Sequence, residues 1–361
     1  MAAPNSRIQS DTRRQPYASH ILKLYENGVL SNRLPVIATN PNGLEEQARK
    51  AMEEKGFKYI YGDAGELSTM DANRLAFRQW KIIPRVLKPT NPRDLTVELF
   101  GAKYGNMVPT RLDSPILMAP VGVQGMFHKS GERGLIGACT ELGVPYTLST
   151  AATSSIESIG EFCGSHPHWY QLYWPKENDI TQSLLLRAKH SGFSTLVVTL
   201  DTVTVAWRPH DLDIANLPFL EAIGNSVGFS DPVFRDKFRA KAGKTPEEDK
   251  LGASRYWMSE IFTAEHHTWE DLKLLRENWD KTTIMFDSGI RTGSDIIKAL
   301  ALGAQAVFVG RPALYGLGIA GEEGAYEVLA GLLAEMDQCM AIAGFKTISE
   351  LKKSILRKVQ Y

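Results

Sequence analysis

The stretch TTIMFDSGIRTGSDIIKALALGAQAVFVGRP, residues 282–312, decides the fold. It holds two short apolar runs, residues 284–286 and 306–309. Both are too short, and too rich in β-branched and aromatic side chains, for helices, and they fit buried strands. Between them, residues 294–302 carry Ile296, Ile297, Leu300 and Ala301 on one side at helical spacing. Strand, helix and strand within about 30 residues make a βαβ unit. Each strand ends in glycine and arginine: Asp287-Ser288-Gly289-Ile290-Arg291, then Gly310-Arg311-Pro312. Glycine lets backbone N–H groups approach a phosphate closely, and arginine offers a planar fork of donors. In a (β/α)8 barrel the phosphate site commonly lies in the loops after the last two strands. The stretch is read as that site.

The same rhythm runs upstream. Residues 115–120 (PILMAP), 145–150 (PYTLST), 168–174 (HWYQLYW) and 195–201 (TLVVTLD) read as strands. Helical spacing follows at 132–142 and 180–190, with Ser154 or Ser155 capping a short helix between. Strands alternating with helices imply a parallel sheet, and each strand here ends in polar or special residues, as a barrel's catalytic face does. The rhythm stops at 203–267, a long polar stretch expected to be an irregular lid. Thr268 and Asp271 suggest a capping box for a helix through Asn278. A long helix over 322–343 and a basic tail close the chain. The fold class is α/β, a TIM (β/α)8-type barrel. Only six βα units are countable, against eight in a complete barrel of at least about 200 residues.

Ahead of the barrel, residues 1–18 are polar and expected to be disordered. Two amphipathic helices are expected within 19–54, then a glycine-rich loop at 59–65 (YIYGDAG), a helix over 71–78 and irregular chain over 80–113. The expected division is therefore a tail (1–18), a helical and irregular cap (19–113), the barrel (114–345) and a C-terminal helix or tail (346–361).

Composition narrows the function. A formal net charge of zero gives no reason to expect nucleic acid or an acidic membrane surface as a partner. No apolar run reaches the roughly 18 residues of a membrane span. The N-terminus lacks the apolar core of a secretory signal, and Lys358-Val359-Gln360-Tyr361 is not a peroxisomal tripeptide, so a cytoplasmic location is expected, with a mitochondrial transit peptide, weakened by Asp11 among the arginines, as the alternative. Cys139, Cys163 and Cys339 lie far apart without metal spacing and read as buried thiols in a reducing compartment; no metal site is expected.

Six strand ends in order carry a resemblance. Met118-Ala119-Pro120-Val121-Gly122, Leu148-Ser149-Thr150, Gln171-Leu172-Tyr173, Val198-Thr199-Leu200-Asp201-Thr202 and the two glycine-arginine turns resemble the FMN-dependent 2-hydroxy acid oxidase and dehydrogenase family. Within that family the chain looks most like the lactate 2-monooxygenase type. The resemblance implies FMN as cofactor, a small 2-hydroxy acid as substrate, oxygen or another electron acceptor, and a homo-oligomer of the kind relatives form. It implies that Ala119, Pro120 and Val121 meet the flavin ring through backbone. Thr150, Gln171 and Thr199 would bond the ring's polar edge. Asp287 would hold the ribityl chain, within a turn that also includes Ser288 and Ile290. Gly289, Arg291, Gly310 and Arg311 would hold the phosphate. Tyr59 and Tyr173 would face the substrate, and Arg208 would pair with its carboxylate.

The sequence departs from the family at one place. The family pattern has a fifth strand with a lysine beside the flavin and a sixth ending in Ser-Asn-His-Gly-Gly-Arg, whose histidine is the base. Here Trp279-Asp280-Lys281 runs straight into residues 282–286, and Asn-His-Gly-Gly occurs nowhere. No catalytic residue is therefore assigned. His210, His266 and His267 read as surface or satisfied histidines. Lys281 precedes its strand, at the wrong end of the barrel to replace the lysine. Two readings stand: an FMN-dependent oxidoreductase of 2-hydroxy acids, or a non-catalytic relative that binds flavin or a partner. A deleted block in the gene record would produce the same join.

Overall fold

The computed structural model describes residues 17–100, 110–264, 267–279 and 287–359. Four helices open it: α1 (Ser19–Ser31), α2 (Pro41–Ala51), α3 (Glu54–Tyr61) and α4 (Ser68–Gln79). Asn40 starts α2 because its side-chain oxygen accepts from the N–H groups of Asn42 and Gly43, and Pro41 fits the first turn, which needs no N–H there. The expected glycine-rich loop at 59–65 is a correction: Tyr59 and Ile60 lie on α3, and Gly62 ends it. The buried face of Gly56, Phe57 and Ile60 sits at helical spacing, and it overrides the glycines as a loop signal.

Residues 80–113, expected to be irregular, contain three short strands: β1 (Trp80–Ile82), β2 (Val97–Leu99) and β3 (Thr110–Leu112). β2 and β3 form an antiparallel pair, while β1 pairs with β9 (Leu356–Lys358) at the other end of the chain. The C-terminal segment is thus two short 3-10 turns and an edge strand rather than a helix.

Five parallel strands form the core: β4 (Ile116–Met118), β5 (Tyr146–Ser149), β6 (His168–Tyr173), β7 (Thr195–Thr199) and β8 (Val307–Val309). β8 pairs with β4, and β5, β6 and β7 pair in sequence order. The Met118 N–H donates to Pro145 O at 3.0 Å and joins the two groups. The row is β8-β4-β5-β6-β7. β4, β5 and β8 are buried at every position because helices cover one face and strand side chains fill the other. The intervening helices are α5 (Gly131–Leu142), α6 (Ile156–Cys163) and α7 (Asn178–His190). Ser155, not Ser154, caps α6. The expected strand over 284–286 lies outside the described residues. The described chain is therefore an α/β fold with a partial strand-helix arrangement, and barrel closure is not part of it.

The polar stretch at 203–267 is a second correction. It is largely helical: α8 (Pro209–Leu212), α9 (Ser226–Phe229), α10 (Pro232–Ala242) and α11 (Lys250–Ile261). Asp231 and Asp249 cap α10 and α11 with their carboxylates. Phe234 and Trp257, both fully buried and packed edge-on at 5.2 Å, anchor the pair. A few large aromatics supply the burial that composition hides.

Before α12 (Leu272–Asn278), Asp271 accepts from Thr268 N and Oγ1 but does not cap the helix in the expected box. A full capping box occurs instead at Thr292 and Asp295, opening α13 (Gly293–Ala301). The chain runs from Arg311 to Ala343 as α14, but the backbone is non-helical at Ala320 and Gly321, so the expected helix over 322–343 is the second of two helices joined at a kink. α14 packs along α5, α2 and α13. That packing ties the N-terminal helices to the end of β8.

Candidate active site at the strand ends

The carboxyl ends of β4 to β8 gather the residues singled out in the sequence. At β4, Ala119 N donates to Val309 O at 3.0 Å, and Val121 O accepts from Gln124 Nε2 at 2.9 Å. A Cβ on Gly310 would lie 3.7 Å from Ala119 Cβ, so the ends of β4 and β8 are in contact. Pro120 and Val121 are half-buried.

Thr150, Gln171 and Thr199 come from three adjacent strands and form one hydrogen-bonded row. Gln171 Nε2 donates to Thr199 Oγ1 at 2.8 Å, and Gln171 Oε1 accepts from Thr150 N at 3.0 Å. Thr150 Oγ1 donates to Gln171 O at 2.6 Å and accepts from Tyr173 N at 3.1 Å. In the parallel register Ser149 lies opposite Gln171 and Tyr173 opposite Thr199, so the Gln171 amide reaches a hydroxyl two residues further along β7. Beside the row, a cavity of about 260 Å³ is lined by Thr199, Leu200, Thr202, Trp174 and His267.

Arg208 meets Tyr59, and Tyr173 is near enough for the Arg208 charge to act on its hydroxyl. The Arg208 guanidinium lies 4.8 Å from the centre of the Tyr59 ring, and Nη2 donates to Tyr59 O. Arg208 Nε sits 2.7 Å from Asp211 Oδ2, an ion pair too bent to count as a hydrogen bond. Burial raises both tyrosine hydroxyls above their ordinary pKa; Tyr173 adds to the shift at Tyr59, and Asp201 to that at Tyr173. Asp201, in the fourth motif, acts on Asp287 too. Desolvation, with Asp201's charge second, raises the Asp287 carboxyl, although the residue as a whole is exposed.

The two glycine-arginine turns converge. Gly289 adopts φ +82, and Ser288 before it has φ +136, a conformation side chains rarely adopt. Arg311 donates from Nε to Ile60 O at 3.0 Å and from Nη2 to Asp63 Oδ2 at 3.3 Å. Arg291 donates from Nη1 to Ile290 O at 2.9 Å, and its Nε is buried with no hydrogen-bond partner among the described residues. Desolvation, then the charges of Arg311 and Arg74, hold the Arg291 guanidinium down at about 10. Two clustered arginines, one with an unused buried donor, suit a phosphate dianion.

Of the histidines, His210 meets Tyr61 edge-on at 5.4 Å and His267 stacks on Trp174 at 4.0 Å. His266 and Lys281 lie outside the described residues. Among the described residues no cluster of His, Cys, Asp and Glu could hold a metal ion.

A sequence model described as FMN-dependent dehydrogenase matches residues 48–282 and 280–358. The chain belongs to that family. An FMN-dependent alpha-hydroxy acid dehydrogenase of Penicillium citrinum is 44% identical over 399 residues, covering 96% of this chain and 97% of the relative. The aligned length exceeds the 361 residues present here, so the relative has positions without a counterpart. An L-lactate oxidase of Lysinibacillus sphaericus is 32% identical, covering 86% of this chain and 91% of that protein. Among solved structures, a soluble mutant of the membrane-associated (S)-mandelate dehydrogenase of Pseudomonas putida superposes with TM-score 0.73 at 28% identity, covering 89% of this chain and 99% of the other. Homology thus supports an FMN-dependent oxidoreductase acting on hydroxy-acid substrates. No described helix is long and apolar enough to cross a membrane.

Proposed function

We propose that the chain holds FMN across the carboxyl ends of β4 to β8, in an eight-stranded barrel plan reduced by about two βα units. Its own oxidation of 2-hydroxy acids to 2-oxo acids is slow or absent. The observation that carries the flavin reading is the Thr150–Gln171–Thr199 row at the ends of β5 to β7 together with the Arg291–Arg311 pair after the Gly289 turn and β8. A row of donors and acceptors suits the polar edge of a flat ring, and the arginine pair suits a phosphate. The backbone of Ala119, Pro120 and Val121 lines the ring. Asp287 holds the ribityl chain, within the turn of Ser288 and Ile290. Gly289 and Gly310 admit the phosphate between the arginines. Bound FMN supplies the two-electron chemistry.

The substrate reading follows from Arg208 and the two tyrosines. Arg208 would pair with the carboxylate of a small 2-hydroxy acid, held between Tyr59 and Tyr173. Lactate and mandelate, the substrates in the names of similar proteins, are of this class. Proton removal is where this chain falls short. The sequence has no Asn-His-Gly-Gly, and the family match divides at 280–282, where the strands bearing the lysine and the base belong. A positioned base contributes on the order of 10² to 10⁴ in rate.

The test is anaerobic mixing of the purified, FMN-loaded chain with L-lactate, glycolate and (S)-mandelate. A flavin spectrum that bleaches at least about 10²-fold more slowly than that of a relative with the base supports the proposal. Prompt bleaching would show that another group takes the proton. Failure to take up FMN would remove the flavin reading altogether.

A further inference from the structure

Resting on that flavin reading, we propose that Arg74 of α4 is a third phosphate-binding guanidinium, held ready by Glu45 and Tyr315. Nothing in the sequence motifs points to it, since it sits in an amphipathic helix outside the strand ends. The geometry does. α4 packs directly on the Gly289 turn: a Cβ on Gly289 would lie 3.0 Å from Phe77 Cε2 and 3.1 Å from Asn73 O. Arg74, the next residue, turns its Nη2 to Glu45 Oε2 at 2.6 Å. Tyr315 Oη donates to the same oxygen at 3.3 Å.

Glu45 therefore fixes one edge of the Arg74 fork and leaves the other free. Arg74 Nε is buried and unpartnered, as is Arg291 Nε. Two buried guanidinium donors without acceptors, at one turn, are costly unless an anion meets them. The three arginines share an environment. Arg311 and Arg74 both act on the charge of Arg291, and all three act on the buried Tyr315 phenol. One carboxylate, Glu45, partners Arg74 and Tyr315, while Arg311 turns to Asp63. Three guanidiniums against the Glu45 and Asp63 carboxylates leave the cluster with an excess of positive charge that an anion can meet.

A further consequence is specificity. A third arginine acts on the phosphate and not on the ring, so it separates FMN from riboflavin. It also ties FMN binding to the helical cap, because α4 and, through Glu45, α2 then contact the cofactor.

The test measures affinities of the FMN-free full-length chain for FMN and for riboflavin by quenching of flavin fluorescence. Arg74→Gln is expected to weaken FMN about tenfold or more, the usual size of a charge-assisted contact, and to leave riboflavin unchanged. Arg74→Lys should recover part of the loss. Arg291→Gln serves as the reference, because it removes a phosphate ligand of the underlying reading. If Arg291→Gln weakens FMN and Arg74→Gln does not, the inference is overturned and the flavin reading stands. If Arg74→Gln weakens FMN and riboflavin equally, Arg74 is structural and the inference is again overturned. If the unmodified chain binds neither flavin, both fall together. Circular dichroism of each variant, with the lysine variant as a milder change, keeps a folding defect from passing as a binding defect.

Discussion

Replacing Thr150 with valine keeps the shape of a fully buried side chain and removes only its hydroxyl. That hydroxyl stands between three partners. It donates to Gln171 O at 2.6 Å, accepts from Tyr173 N at 3.1 Å and lies 3.2 Å from Tyr170 Oη. Valine leaves the Tyr173 N–H without this acceptor and takes a partner from the buried Tyr170 hydroxyl. An unsatisfied buried polar group costs about 1–3 kcal/mol, so the expected loss is about 2–5 kcal/mol. Against a typical total of about 5–15 kcal/mol this is a large fraction. Serine keeps the hydroxyl and loses one methyl group, a change of about 1 kcal/mol. Urea denaturation of the FMN-free protein, followed by tryptophan fluorescence, reads both. FMN titration of the same variants reports whether the row, once disturbed, still takes the ring. A valine variant within about 0.5 kcal/mol of the parent would refute the reasoning, since surface changes alone span that range. A serine variant as damaged as valine would refute it too, by assigning the effect to packing.

Two further outcomes follow from charge. Arg291 is harder to protonate in the folded chain than in the unfolded one, so its charge opposes folding at neutral pH, and the penalty is relieved only as pH rises through about 10. Arg291→Gln should therefore stabilise the FMN-free protein at pH 7, on the order of 1–3 kcal/mol. FMN should raise the melting temperature of the parent more than that of the variant; equal apo stabilities would contradict this. Asp287 has its carboxyl raised by desolvation and then by Asp201. The folded state then holds the proton more tightly, so stability falls as pH rises from the ordinary carboxylate value near 4 through the raised one. Asp201→Asn should shrink that fall, measured as urea midpoints between pH 4 and 7, and an unchanged slope would remove Asp201 as a cause.

The parts of the fold legible in the sequence were those where burial is local and two-sided. The apolar runs that became β5, β6 and β7 are buried or half-buried over consecutive residues, and such runs announce a parallel sheet. At their polar ends the Gln171 and Thr199 side chains meet, and Thr150 joins Gln171 through its backbone N–H. Other parts had no local signal. β1 pairs with β9 across nearly the whole chain, a contact that no short window contains. α10 is rich in charge, and Phe234 and Phe238 alone among its described buried residues mark its inner face; α11 buries Ala253, Trp257 and Ile261. Tyr59 lies against Arg208 on a helix, where Gly62 and Gly65 suggest a loop. Arg74 was missed because an arginine on an amphipathic helix reads as a solvated face until its neighbours are known.

The row of strands also bears on the missing block. β7 and β8 end the row β8-β4-β5-β6-β7 among the described residues, and β7 is the least buried of the five. Near it Leu200, Trp207 and Trp269 are 57%, 75% and 72% exposed. A parallel strand gains from neighbours on both edges and cover on both faces, so this edge is where added βα units would bury most. The family match divides at 280–282, between β7 and β8 in the chain, and so agrees on the place. Gradual decay after loss of the base would have little reason to keep Arg208 against Tyr59, or the three-strand hydrogen-bonded row, in working arrangement. Excision of one block keeps both flanks and removes only what lay between. We infer excision, and sequencing the transcript across the codons for residues 280–282 tests it. A longer message encoding Asn-His-Gly-Gly there would restore the base and make this chain a shortened record of an active flavin enzyme. A message joined as written would leave a flavin-binding protein without its base. Eroded remnants of the two missing units at that join would refute excision.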